Sequence, residues 1–248
     1  MKYEHLFGHH AVNTALKKDA ERIHRILILK GRRDERMQKL VDTASQLKIQ
    51  IEVATKRDLD ERVEGASHQG VVALCKPIQT YNDKYLNQLL DNLEEQPFLL
   101  VLDGVTDPHN LGACLRTADA AGVQAVIAPK DKSAPLNATA AKVACGAAEA
   151  VPYILVTNLA RALKNLQERG IWITGTAGET DQELYQSNLT APMALVMGAE
   201  GQGMRRLTRE NCDQLVKIPM AGEVSSLNVS VATGVCLFEA VRQRKAND

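Results

Sequence analysis

The chain has 248 residues, 45% of them hydrophobic and 24% charged, with 30 basic against 30 acidic side chains and no formal net charge. That length suffices for one large or two modest domains with real cores, and the composition excludes disordered and fibrous classes. No apolar run approaches the ~20 residues that span a bilayer, and the charged start MKYEHLFGHH does not read as a signal peptide, so no membrane partner is expected. The five cysteines (75, 114, 145, 212 and 236) are scattered, with no CxxC pair and no histidine at ligand spacing. They predict reduced, mostly buried thiols in the cytoplasm and no metal site.

The zero net charge is unevenly spread. Residues 1–77 hold 15 Lys/Arg against 11 Asp/Glu, residues 78–95 one against four, and residues 96–248 14 against 15. The basic excess gathers in Arg22, Arg25, Lys30, Arg32, Arg33, Arg36 and Lys39. Such a cluster can follow a phosphate backbone or simply form a solvated face.

In chain order, the amino-terminal part reads as a small α/β unit. Helices are expected at Ala11–Lys17, Glu35–Leu47 and Arg57–Val63, and strands at His24–Lys30, Ile49–Ala54 and Gly70–Cys75. His9, His10 and His68 belong to no catalytic constellation and read as structural or RNA-surface residues. Residues 78–96 form an acidic linker carrying one amphipathic helix, with a Leu86/Leu89/Leu90/Leu93 stripe that Pro97 ends. From Phe98 strands and helices alternate: Phe98–Leu102, a helix at Ala113–Ala121, Val123–Ala128, a small-residue helix within Pro135–Ala147, Val151–Val156, Leu159–Arg169 and Ile171–Thr176. That alternation predicts a mostly parallel sheet with helices on both faces.

The last quarter repeats one device. Ala194–Met197 runs into Gly198-Ala-Glu200-Gly201-Gln-Gly203, and Leu215–Pro219 runs into a loop holding Gly222, Ser225, Ser226, Leu227 and Asn228. The second loop opens a helix at Val229–Arg242, and Ser225, Ser226 and Asn228 are favoured helix caps. Two strand ends with bare-backbone loops lying side by side would suit the ligand-binding edge of an open α/β sheet. The loop after Phe98–Leu102 adds Asp107-Pro108, Asn110 near a helix cap and Gly112 for close approach. Arg116 follows, the only basic residue between Asp103 and Ala128. Its partner is either a carboxylate of its own chain or a phosphate. GxGxxG is absent, which disfavours a nicotinamide dehydrogenase, and no GK[ST] follows a glycine loop. With almost no cations in the loops, a ligand held by main chain through base and ribose fits better, and S-adenosylmethionine answers that description.

Three ordered motifs now stand in view: Asp103-x₃-Asp107-Pro-x-Asn110-x-Gly112-x₃-Arg116; Met197-Gly198-x-Glu200-Gly201-x-Gly203; and Ile218-Pro-Met-x-Gly222-x₂-Ser225-Ser226-Leu227-Asn228-Val229-Ser230. Together they resemble the SpoU/TrmH class of RNA ribose 2′-O-methyltransferases, of the SPOUT superfamily. The resemblance runs through FGHHAVNTAL and HQGVVA to cover nearly the whole chain, and within the class it is greatest to enzymes acting on a guanosine of bacterial 23S rRNA.

That resemblance implies a carboxyl-terminal trefoil knot and a homodimer with the active site at the subunit interface. It also implies an amino-terminal RNA-binding domain similar to ribosomal protein L30e over residues 1–77, a linker over 78–96 and a catalytic domain over 97–248. Main-chain groups at Gly198, Ile218 and Leu227 would hold S-adenosyl-L-methionine, and the residues matching the catalytic set are Asn110, Arg116, Glu200, Ser226 and Asn228. Arg22, Arg25, Arg32, Arg33 and Arg36 would meet the RNA, either 23S rRNA or a large-subunit precursor. Two readings compete with this one: a tRNA ribose methyltransferase of the same class, and a non-catalytic RNA-binding ribosome-assembly factor.

Overall fold

The computed structural model describes residues 3–32 and 34–246. The amino-terminal unit consists of β1 (Glu4–Phe7), α1 (His9–Lys18), β2 (Ile23–Leu29), α2 (Glu35–Gln46), β3 (Gln50–Ala54), α3 (Lys56–Arg62) and β4 (Val71–Cys75). Its sheet runs β1-β4-β2-β3, antiparallel except where β2 pairs with β3. Strand β1 escapes periodicity because four residues carry too little alternation to read. Local chemistry explains the helix starts. Asp34 accepts from Met37 N to cap α2, and Thr55 with Asp58 forms a capping box on α3. His68, nearly buried, accepts at Nδ1 from Gly70 N–H and reaches Asp60 through Nε2 at 3.0 Å, so it holds a turn.

The carboxyl-terminal unit is built on β5 (Phe98–Asp103), α5 (Pro108–Ala121), β6 (Ala125–Pro129), α6 (Ala138–Ala144), α7 (Ala147–Ala150), β7 (Tyr153–Val156), α8 (Leu159–Glu168), β8 (Trp172–Thr176), β9 (Met193–Gly198), α9 (Arg206–Glu210), β10 (Gln214–Val216) and α10 (Val229–Lys245). Its six strands are all parallel, in the order β10-β8-β9-β5-β6-β7, with every residue of β5 buried between the two helical layers. The chain winds outward from β5 through β6 to β7, then returns on the other side of β5. The strand order therefore reverses between β5 and β9, where a ligand crevice opens in such sheets.

Three expectations change. The two glycine-loop strands are not neighbours, since β8 lies between β9 and β10, and β9 pairs with β5 instead. Helix α5 starts at Pro108, not near Ala113, because Asp107 caps it by accepting from His109 N and proline suits the first turn. Gly112 is thus inside α5, and its bare Cα serves helix packing: an added Cβ would lie 2.4 Å from Ala140 O of α6. The small-residue helix is two helices, broken where Cys145 (φ 53°) and Gly146 (φ 96°) turn left-handed.

The segment after β4 is stitched to the larger sheet rather than hanging free. Tyr81 exchanges backbone hydrogen bonds with Tyr153 and Leu155, and Leu86 of α4 (Asp83–Asp91) is buried against β5 and β7. The amino-terminal unit docks on α6 and α7. Arg22 pairs with Glu149 at 3.0 Å, both side chains nearly buried, and Lys142 donates to Ser67 O while its ammonium sits 4.6 Å above the Phe7 ring.

This corrects part of the expected RNA surface. Arg22 is consumed by the joint between units, where a buried guanidinium needs its carboxylates. Arg25 is half-buried and pairs with Glu52 at 2.8 Å. The Arg32 guanidinium binds Asp34, holding that carboxyl below its ordinary range, and also donates to Gln69 O. Arg36 is exposed, and Arg33 lies outside the described residues.

All five cysteines are free. Burial pushes the thiols of Cys75, Cys212 and Cys236 up to about 12 and that of Cys114 to about 11. A raised thiol value leaves almost no thiolate at pH 8, so an aromatic disulfide reagent is expected to find at most one fast thiol in the native protein, Cys145, and five after denaturation. Gly112→Ala should destabilise the fold by about 1–3 kcal/mol through overpacking against a backbone carbonyl, read as a lower denaturant midpoint at constant slope.

Candidate active site

The loop leaving β9 is shaped by absent side chains. Ala199 and Gly203 exchange backbone hydrogen bonds (3.1 and 2.9 Å), closing a turn in which Gly201 and Gly203 have φ of 73° and 68°. That turn folds back over Gly198 so closely that a Cβ there would lie 2.3 Å from both Gly203 C and Met204 N. Only glycine fits at 198.

The turn carries Glu200 at its tip. Glu200 Oε1 accepts from Asn110 Nδ2 (3.2 Å) in the first turn of α5, from Val229 N (3.2 Å) at the start of α10, and from Asn228 Nδ2. Asn228 Nδ2 also donates to Asn110 Oδ1 (3.0 Å), while Asn228 Oδ1 caps α10 by accepting from Ser230 N and Ser230 Oγ. Loops that follow β5, β9 and β10 are thus tied into one polar knot by a single carboxylate.

Beside this knot opens a cavity of about 700 Å³, within the range of small-molecule sites. Its lining includes Gly198, Glu200, Ile218, Ser226, Leu227 and Asn228, so the three expected cofactor residues and three of the expected catalytic ones share one space. Strand β10 needs no hydrogen-bonded contact with β9 for this, because its long following loop crosses back to the start of α10. Of the cations in the wall, Arg209 is paired with Glu179. Lys217 is the other cation of the lining and Glu200 the other carboxylate, so the cavity carries no net positive charge, which fits an adenosine-like, phosphate-free or cationic ligand better than a pyrophosphate.

A second cavity of about 480 Å³ lies on the other side of the Glu200 turn, and Asn110 lines it. Arg116 lines neither cavity. It is exposed on α5, where its Nη1 donates to Cys145 Sγ at 3.6 Å. Six residues beyond Asn110 it stands about 9 Å further along the helix and about 120° round it, so one chain alone does not bring the two together. Sequence reasoning also passed over Thr176, which lines the larger cavity from the end of β8, and the pair formed by Asp103 and Arg205. Asp103 was visible as the polar end of an apolar strand, but its partner lies 102 residues away.

Residues 97–238 match the family model described as SpoU rRNA Methylase, and residues 5–81 match one described as RNA 2′-O ribose methyltransferase substrate binding. The chain belongs to the SpoU rRNA methylase family. It is 60% identical over 247 residues, spanning the whole of both chains, to the 23S rRNA (guanosine-2′-O-)-methyltransferase RlmB of Vibrio cholerae. Its fold is similar to that of the SpoU methyltransferase AviRb from Streptomyces viridochromogenes in complex with AdoMet, with a TM-score of 0.80 at 24% identity over 98% of this chain and 90% of that one. A TrmH/SpoU tRNA modifying enzyme from A. aeolicus is 34% identical over 66% of this chain and 85% of its own, with a TM-score of 0.57.

Gly198→Ala should break the Ala199–Gly203 pairing, since the obstacle is backbone and cannot swing aside. Hydrogen exchange is expected to show lost protection at Ala199 and Gly203; unchanged protection would mean the loop tolerates a side chain.

Proposed function

We propose that this chain methylates the ribose 2′-hydroxyl of a guanosine in 23S rRNA, using S-adenosyl-L-methionine. The observation that carries the reaction is the convergence of three loops, through Asn110, Glu200 and Asn228, on a cavity whose lining carries no net positive charge. The choice of RNA rests on similarity at 60–64% identity over essentially the full length of relatives bearing that activity in their names, against 34% over a partial match to a tRNA enzyme.

When bound in the larger cavity, the donor supplies a sulfonium methyl group open to in-line attack by an oxygen. Main-chain groups at Gly198, Ile218 and Leu227 hold it there, with Ser226 on the exposed rim. Glu200 orients the ribose from the wall common to both cavities, braced by Asn110 and Asn228. Holding donor and hydroxyl in register contributes a large part of the rate. Arg116 acts as phosphate clamp and stabilises the developing alkoxide, because a guanidinium does not give up its proton at working pH. The hydroxyl proton passes to a phosphate oxygen or a water.

The enzyme works as a homodimer, in which Arg116 of the partner subunit reaches this cavity. The support is that the first ten residues of α10, all small or apolar, leave Val231 53% and Phe238 49% exposed in a single chain. A trefoil knot belongs to the same reading, supported by the insertion of β9 between β8 and β5 and by the packing of α10 on α5. The amino-terminal unit is the RNA-binding, L30e-like part, supported by the match over residues 5–81 and by exposed Lys30, Arg36 and Lys39.

With labelled donor, 23S rRNA should be methylated on one guanosine ribose and tRNA transcripts left untouched; label on tRNA alone would favour the competing substrate. Arg116→Ala should lower turnover by about 10²–10³-fold while calorimetry shows unchanged cofactor binding. A variant that binds the cofactor and methylates at the wild-type rate would remove Arg116 from the mechanism.

A further inference from the structure

The smaller cavity contains a buried charge that the reaction as described does not use. Asp103, the last residue of β5, is 0% exposed, yet both its oxygens are engaged by one residue: Oδ2 accepts from Arg205 N at 2.8 Å and Oδ1 from Arg205 Nε at 2.6 Å. The two terminal nitrogens of Arg205 have no acceptor among the described residues, and the side chain is 44% exposed where it lines the cavity. A carboxylate that grips a guanidinium by its ε edge and by its own backbone fixes the direction in which the free edge points. That edge has the fork geometry suited to a phosphate.

A second cation stands in the same wall. Lys132, exposed and held at φ 61° in the loop after β6, has no hydrogen bond or ion pair among the described residues. The acidic groups nearby are otherwise committed: Asp103 to Arg205, Glu200 to its donors at the knot, and Asp107 to the cap of α5. The lining sets these two cations against the carboxylates of Asp103, Asp107 and Glu200, so the attraction for a phosphate comes from the free guanidinium edge of Arg205 and the unpaired Lys132 ammonium, not from a net positive wall. The two cavities share Ala199, Glu200, Gln202, Gly203, Met204 and Val229, so a ligand filling the smaller one meets Glu200 at the partition.

We infer that the smaller cavity is the acceptor-nucleotide site, in which Arg205 and Lys132 bind the phosphodiester next to the target ribose and Asp103 is the positioning residue that aims Arg205. This rests on the RNA methyltransferase reading and adds to it a phosphate site supplied by the same subunit as Glu200. The site places the sugar against Asn110 and Glu200 and the charged backbone toward the loop after β6.

The test measures binding and catalysis separately on 23S rRNA transcript, for wild type, Arg205→Ala, Asp103→Asn and Lys132→Ala. Arg205→Ala and Lys132→Ala should each weaken RNA binding by about tenfold, in the range expected for a charge-assisted hydrogen bond, and flatten the slope of log Kd against log salt by about 0.7–0.9, whereas Asp103→Asn, which keeps the Arg205 charge but not its aim, should weaken binding with the slope little changed. Affinity for S-adenosylmethionine should not change. Lys132→Arg should restore both RNA affinity and slope. Arg205→Ala disturbs a buried carboxylate, but the salt slope reports a lost phosphate contact and not a loosened fold, and Lys132→Ala touches only an exposed side chain. Wild-type affinity and slope in the Arg205 and Lys132 variants, with methylation by the wild-type protein intact, would overturn the site and leave the enzyme reading standing. A wild-type protein that methylates no RNA would overturn both.

Discussion

One carboxylate oxygen organises this active site. Glu200 Oε1 receives donors from Asn110, 90 residues before it, and from the consecutive Asn228 and Val229, 28 and 29 residues after it. Its position follows from the turn beneath it, which can fold back over residue 198 only because that residue lacks a Cβ. Remove the close approach and the carboxylate has no fixed place. The asparagines then lose their common acceptor, and the wall between the two cavities goes with it. Backbone geometry at a glycine thus decides where charge sits, which is the reverse of the order in which a reader of motifs meets these residues.

The sheet supplies the rigid frame for that turn. Because the winding reverses between β5 and β9, the loops after these two strands emerge side by side, and helices on both faces leave the crevice at their carboxyl ends as the open edge. The two cavities differ in electrostatic character although they share a wall. The larger pairs its arginine with a glutamate and also holds Lys217, while the smaller holds Lys132 without a partner and Arg205 with a free edge.

The joint between the two units has its own logic. Arg22 and Glu149 are almost wholly enclosed, and such a pair is costly to leave half-made, so it favours one docked arrangement over many loose ones. The same joint reaches the catalytic unit at its kink: His10 Nε2 lies 3.2 Å from Cys145 O, and Cys145 Sγ receives Arg116. The amino-terminal unit therefore packs one residue away from the arginine assigned to the chemistry.

Much of this could be read along the chain, because strands with both faces buried, capped helices and glycine-bearing loops are encoded within a few residues of themselves. The run Phe98–Leu102, the cap at Asp107 and the glycines at 198, 201 and 203 are local signals, and the motif residues Gly198, Glu200, Ile218, Ser226, Leu227 and Asn228 do share one cavity. What the chain could not tell was adjacency. Strand periodicity carries no information on sheet order, so β8 between β9 and β10 went unseen. A basic cluster likewise does not reveal which arginine is sealed against a glutamate 127 residues away. Nor could it show that Asp103 finds Arg205, or that Arg116 faces away from Asn110 on its own helix; those are properties of packing between distant segments, decided only when the chain closes on itself.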